Sequence, residues 1–129
     1  MNWDHYTKYA PFVVRLGLGL VLLWFGIDAL LNPGVWSTLV PKWILGWSHL
    51  SADTFMYLNG VIEIILGLLL LIGLWTRLAA MLTACLLLGI LLSLGYGDLA
   101  VRDFGLFLGA ISLLCSGSGW GGLDSRKGF

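Results

Sequence analysis

An all-α membrane protein, folded as an antiparallel bundle of four transmembrane helices with an interfacial loop between helices one and two, is the fold class this sequence predicts. Three observations carry that reading. Hydrophobic residues fill 59% of the 129 positions and charged residues 11%, with a mean hydropathy of +0.93, whereas a typical soluble domain carries roughly 25% charged residues. Apolar runs recur at 12–31, 55–74 and 78–94, with a weaker one at 99–117; about 20 apolar residues in a helix cross a hydrocarbon core of roughly 30 Å. The runs are continuous rather than alternating, which excludes barrel strands, and an open sheet cannot satisfy its edges in lipid. The length suits one membrane domain over 1–129.

The first run ends in Asp28-Ala29-Leu30-Leu31-Asn32-Pro33-Gly34 instead of a small-residue cleavage site, so it reads as an uncleaved helix. The connection at 32–54 opens with Asn32-Pro33-Gly34 and sets Trp36, Trp43 and Trp47 among aliphatic residues, the pattern of a segment lying in the membrane interface. It is expected to roof the bundle. Gly73-Leu74-Trp75-Thr76-Arg77 and Gly95-Tyr96-Gly97-Asp98 are short enough only for tight hairpins, which makes the neighbouring helices antiparallel. The fourth run starts on the polar triplet Val101-Arg102-Asp103, so its outer turn needs shielding by protein or headgroups. Gly17 and Gly19, Ala80 and Ala84, and Gly105 and Gly109 are the small residues expected where helices approach closely.

Five basic residues, Lys8, Arg15, Arg77, Arg126 and Lys127, fall on the side of both termini, and two, Lys42 and Arg102, on the other. That asymmetry puts both termini in the cytoplasm. Arg15 and Arg77 are expected to snorkel to headgroups at the inner surface. A net charge of zero leaves no field to recruit nucleic acid, so the bilayer is the partner read from composition. Cys85 and Cys115 lack a C-x-x-C spacing and read as buried, inert thiols. His5 and His49 lie outside the spans, which removes a bis-histidine haem, and no metal-ligand spacing is present. No intrinsic cofactor and no metal site are read from the chain.

The intramembrane charges are the functional signal, because an ionised group at a helix centre costs roughly 2.5–3.5 kcal/mol on insertion scales. Asp28 lies near the outer end of the first helix, and Glu63 lies about 12 Å below the outer end of the second. Arg102 and Asp103 enter at the same outer level. Asn59, Glu63 and Gly67 share one helix face, as do Asp98, Arg102, Gly105 and Gly109. An outward-opening pocket is therefore expected, with Asp28, Asn59, Glu63, Arg102 and Asp103 inside it and Trp43, Trp47 and His49 above. Glu63, Arg102 and Asp103 are the catalytic candidates, with a Glu63–Arg102 ion pair at the centre. The alternative is that this pair merely fixes helix register.

Arg15, Leu23-Trp24-Phe25-Gly26-Ile27-Asp28, Gly60-Val61-Ile62-Glu63, Gly67 and Leu71-Ile72-Gly73-Leu74-Trp75-Thr76-Arg77-Leu78-Ala79-Ala80 follow one another in a distinctive order, which Val101-Arg102-Asp103, Gly119-Trp120 and Leu123-Asp124 extend. That order of features resembles the DoxX family of small membrane proteins. Ala29 stands where that family often has a Lys closing the first helix. The resemblance implies a four-helix fold in a prokaryotic cell membrane and quinone-linked respiratory or sulfur chemistry, including the DoxD and DoxA subunits of thiosulfate:quinone oxidoreductase. It implies quinone as a ligand and transfers no established catalytic residues. Three functions compete: a quinone-associated redox subunit, a non-catalytic accessory or assembly subunit of a larger membrane complex or self-assembly, and a small-solute or lipid carrier. The carrier lacks the duplicated halves and broken helices common in transporters.

Overall fold

The computed structural model describes residues 3–94 and 97–123; Gly95, Tyr96, Asp124, Arg126 and Lys127, used above, lie outside them. A 3₁₀ turn at Trp3–Tyr6 leads into α1 (Tyr9–Leu31), two short helices α2 (Pro33–Ser37) and α3 (Lys42–Ser48), and then α4 (Ala52–Ile72), α5 (Thr76–Leu94) and α6 (Asp98–Ser116). Among the described residues there is no strand. The long helices α1, α4, α5 and α6 match the four apolar runs, and all four are long and apolar enough to span a bilayer. They pack antiparallel. Each starts slightly before its run; in α4 capping accounts for this, since Ser51 accepts a hydrogen bond from the Thr54 N–H at 3.2 Å and so begins the helix at Ala52.

α1 lies along α4 and α5 along α6, and the two pairs join through α4 with α5 and α1 with α6. Their shared core is Leu18, Leu22, Leu66, Leu70, Leu113 and the alanines Ala79, Ala80, Ala84 and Ala110. Only 22–33% of each spanning window is buried inside the protein, so most apolar side chains face outward, to lipid. Helix association here gains close packing rather than removal of leucine from water.

Glycines set the α1–α4 spacing. A Cβ on Gly26 would lie 2.8 Å from the Gly60 carbonyl oxygen, and one on Gly67 would lie 2.9 Å from that of Gly19. Two glycine pairs, seven residues apart on each helix, thus bring the backbones together. The expected glycine contacts are only partly right. Ala80 and Ala84 are buried and Gly19 is in the contact. Gly17 and Gly105 face open space, and Gly109 makes ordinary contacts with Leu18 and Val14. Spacing of four marks one helix face without saying that a neighbour occupies it.

Arg15 also departs from expectation. It is 2% exposed, and its guanidinium donates to the carbonyls of Ser118 at 3.2 Å and Trp120 at 3.4 Å. The 117–122 segment folds back beneath α1, with Trp120 edge-on to Phe12 and its N–H bonded to the Lys8 carbonyl. Protein carbonyls take the place of the headgroups. Gly73 ends α4 at φ +78, a left-handed conformation suited to glycine, and a side chain there would collide with the same guanidinium. Arg77 remains exposed. Cys85 and Cys115 are free and exposed rather than buried, Cys85 along the cavity described below, because a thiol in a spanning helix is already out of water without being enclosed by protein.

Candidate functional site

A cavity of about 530 Å³ lies between α1, α4, α5 and α6, walled on one side by α2 and α3. Its walls are mostly apolar: Phe25 from α1, Trp36 from α2, Trp43 and Trp47 from α3, Phe55 from α4, and Leu86, Ile90 and Ser93 from α5. Asn59, Glu63, Arg102 and Asp103 supply the polar and charged side chains that give it chemistry.

Helical spacing brings the α4 pair together. Asn59 and Glu63, four residues apart, meet on one face, and Asn59 Nδ2 donates to Glu63 Oε1 at 2.9 Å. Glu63 is buried, at 8% exposure. On α6 the expected Glu63–Arg102 ion pair gives way to one between neighbours. Arg102 donates through Nε at 3.0 Å and Nη2 at 2.9 Å, both to Asp103 Oδ1. Adjacent helix residues ordinarily diverge, but the long arginine side chain curls back to the carboxylate beside it.

That arrangement spends both donors on one oxygen. Asp103 is 2% exposed, and its Oδ2 has no hydrogen-bond partner among the described residues. The Arg102 guanidinium also lies 4.2 Å from the centre of the Phe25 ring, a cation–π contact that shields the charged turn of α6. Phe25 in turn meets Trp36 edge-on at 5.6 Å.

Asp28 does not line the cavity. Its carboxylate accepts from Trp36 Nε1 at 2.6 Å and from Asn32 Nδ2 at 3.0 Å, so it braces a wall residue from behind. Among the described residues, this is the side-chain hydrogen bond that ties α2 to a spanning helix. His49 is also outside the lining: it caps α3 in a left-handed conformation and is exposed. Asn59, Glu63, Arg102, Asp103, Trp43 and Trp47 are brought together as expected. Sequence reasoning missed Phe25, Phe55 and the α5 wall, and placed Trp36 only in the interface. Phe25 lies one helical turn before Asp28 and shared the apolar run with many equivalent residues; nothing local separated it from them.

Fold and site together define a polytopic, four-helix integral membrane protein with an intramembrane cavity, apolar along its walls and charged at one part of them. No curated protein and no solved structure matches the chain. It belongs to the DoxX family, whose model matches residues 10–95. The match covers α1 to α5 and stops before α6, so Arg102, Asp103 and the likeness seen at 101–124 lie beyond it.

Proposed function

We propose that the cavity binds a quinone or its reduced form, and that the protein serves as the quinone-binding subunit of a membrane oxidoreductase. The observation that supports this is the union of aromatic walls with a small charged cluster in one cavity of about 530 Å³, within the roughly 300–1,000 Å³ usual for ligand sites. An aromatic head carrying two oxygens suits both parts: the ring packs on Trp and Phe, and the oxygens need hydrogen bonds. A bound quinone supplies a couple of two electrons and two protons. The electrons pass to or from a partner subunit. Arg102 and Asn59 offer donors, Asp103 offers an acceptor, Glu63 holds or releases protons, and the α2–α3 wall limits access of water.

Purification in mild detergent, followed by solvent extraction and chromatography, tests this reading. Quinone is expected near one per chain, and an Ile90→Trp variant, which fills the cavity from α5, should retain less than about a tenth of it. Equal quinone in both proteins would place it in the surrounding lipid. An absence of quinone in an intact, co-purifying complex would favour the accessory-subunit reading.

The basic-residue asymmetry supports an orientation with both termini cytoplasmic and the cavity in the outer half of the membrane. In a background lacking Cys85 and Cys115, an impermeant thiol reagent added outside intact cells should label a cysteine at position 49 and not one at position 8. The opposite pattern would invert the protein.

A further inference from the structure

Resting on the quinone reading, we propose that the charged cluster is built to receive a hydroxyl group, and that the site therefore prefers the hydroquinone over the quinone. The unpaired oxygen of Asp103 is the basis. As the carboxylate of an ion pair, Asp103 can only accept hydrogen bonds. Its Oδ1 takes both the Nε and Nη2 bonds of Arg102, while Oδ2 of this cavity-lining residue is buried and has no partner among the described residues, so a turn of the carboxylate is what presents it to a ligand. A buried carboxylate oxygen left unpaired loses its solvation without compensation, so a ligand able to donate to it gains a charge-assisted bond.

Ligand chemistry then discriminates. A quinone carbonyl only accepts, so binding it leaves Oδ2 unsatisfied and brings another electronegative oxygen near it. A hydroquinone hydroxyl donates to Oδ2 and still accepts from Arg102, whose Nη1 is not used by Asp103. On the α4 side, Asn59 already donates to Glu63 Oε1, so part of the cluster's donor capacity is spent there too. The surplus is in acceptors. Sites with buried polar groups reject ligands that leave those groups unpaired, as a hydroxyl-binding site rejects the analogue without the hydroxyl.

The test is equilibrium binding to the full chain in lipid nanodiscs, held anaerobic, with a decyl-substituted hydroquinone and its quinone. A 4-alkylphenol and its methyl ether form a second, redox-inert pair. Hydroquinone should bind at least about tenfold tighter than quinone, and the phenol at least about tenfold tighter than the ether. Asp103→Asn, which places an amide in the same space, should erase both preferences. Equal binding of hydroquinone and quinone, or tighter binding of quinone, would overturn the hydroxyl preference and leave the cavity reading intact. If neither member of the quinone pair bound while the phenol still exceeded its ether, the quinone reading would fail and the hydroxyl preference would stand. No binding by any of the four would remove both. Should Asp103→Asn not fold, the phenol and ether pair on the unaltered protein still decides.

Discussion

Gly26→Val should prevent the close approach of α1 to α4 and cost more than about 3 kcal/mol, the upper end of the usual range for overpacking. The added Cβ alone would meet the Gly60 carbonyl oxygen at 2.8 Å and the Ile64 nitrogen at 3.1 Å. Both are backbone atoms, and a helix cannot move them without moving as a whole. Gly17→Val is the matched control, since a Cβ at Gly17 meets nothing within 4 Å. Thermal unfolding in detergent should show the Gly26 variant collapsing at a much lower temperature, with the Gly17 variant near the unaltered protein. Equal melting of the two would mean that the helices are not in contact at these glycines.

Arg102→Gln should be the most damaging single change at the cavity, because it strands the buried Asp103 carboxylate. Loss of one partner of a buried pair costs about 3–5 kcal/mol; the lower end applies here, since the Arg102 side chain is 35% exposed and Asp103 only 3%. Adding Asp103→Asn to Arg102→Gln should recover a large part of the loss, as no lone charge then remains. Pairing Arg102→Gln with Glu63→Gln should recover less, because the guanidinium hydrogen bonds go to Asp103 and Glu63 takes its bond from Asn59. Stronger coupling of Arg102 to Glu63 than to Asp103 in this cycle would overturn the geometry of the cluster.

The contrast between those two carboxylates marks where sequence reading succeeds. Asn59 and Glu63 were legible as partners because a spacing of four on a helix is itself a contact. Arg102 and Asp103 were not, since adjacency on a helix usually separates side chains, and rotamer choice decides the exception. The four spans were legible from hydropathy because lipid demands long apolar helices whatever their neighbours. Their starts were less so: the Ser51 cap that begins α4 is a single side-chain hydrogen bond with no hydropathic signature. Gly26 and Gly60 were hidden among other membrane glycines, because their role depends on a partner 34 residues away in sequence facing them across the α1–α4 contact. Asp28 carried a visible charge at a visible depth. Its use as a brace for Trp36 depended on how the chain turns after Asn32, which composition does not encode.

On the ribosome, Arg15 is made 103 residues before Ser118, whose carbonyl it will hold. At roughly 5–20 residues per second, the first span waits some seconds for the segment that encloses its guanidinium. Through that interval the charge must stay at the membrane surface among phosphates and water, and it sinks into protein only once α6 has been threaded. Insertion and maturation are therefore separate events in this molecule. A nascent chain arrested before Ser118 lacks these two carbonyl partners of Arg15, a chemical difference between an unfinished copy and a finished one.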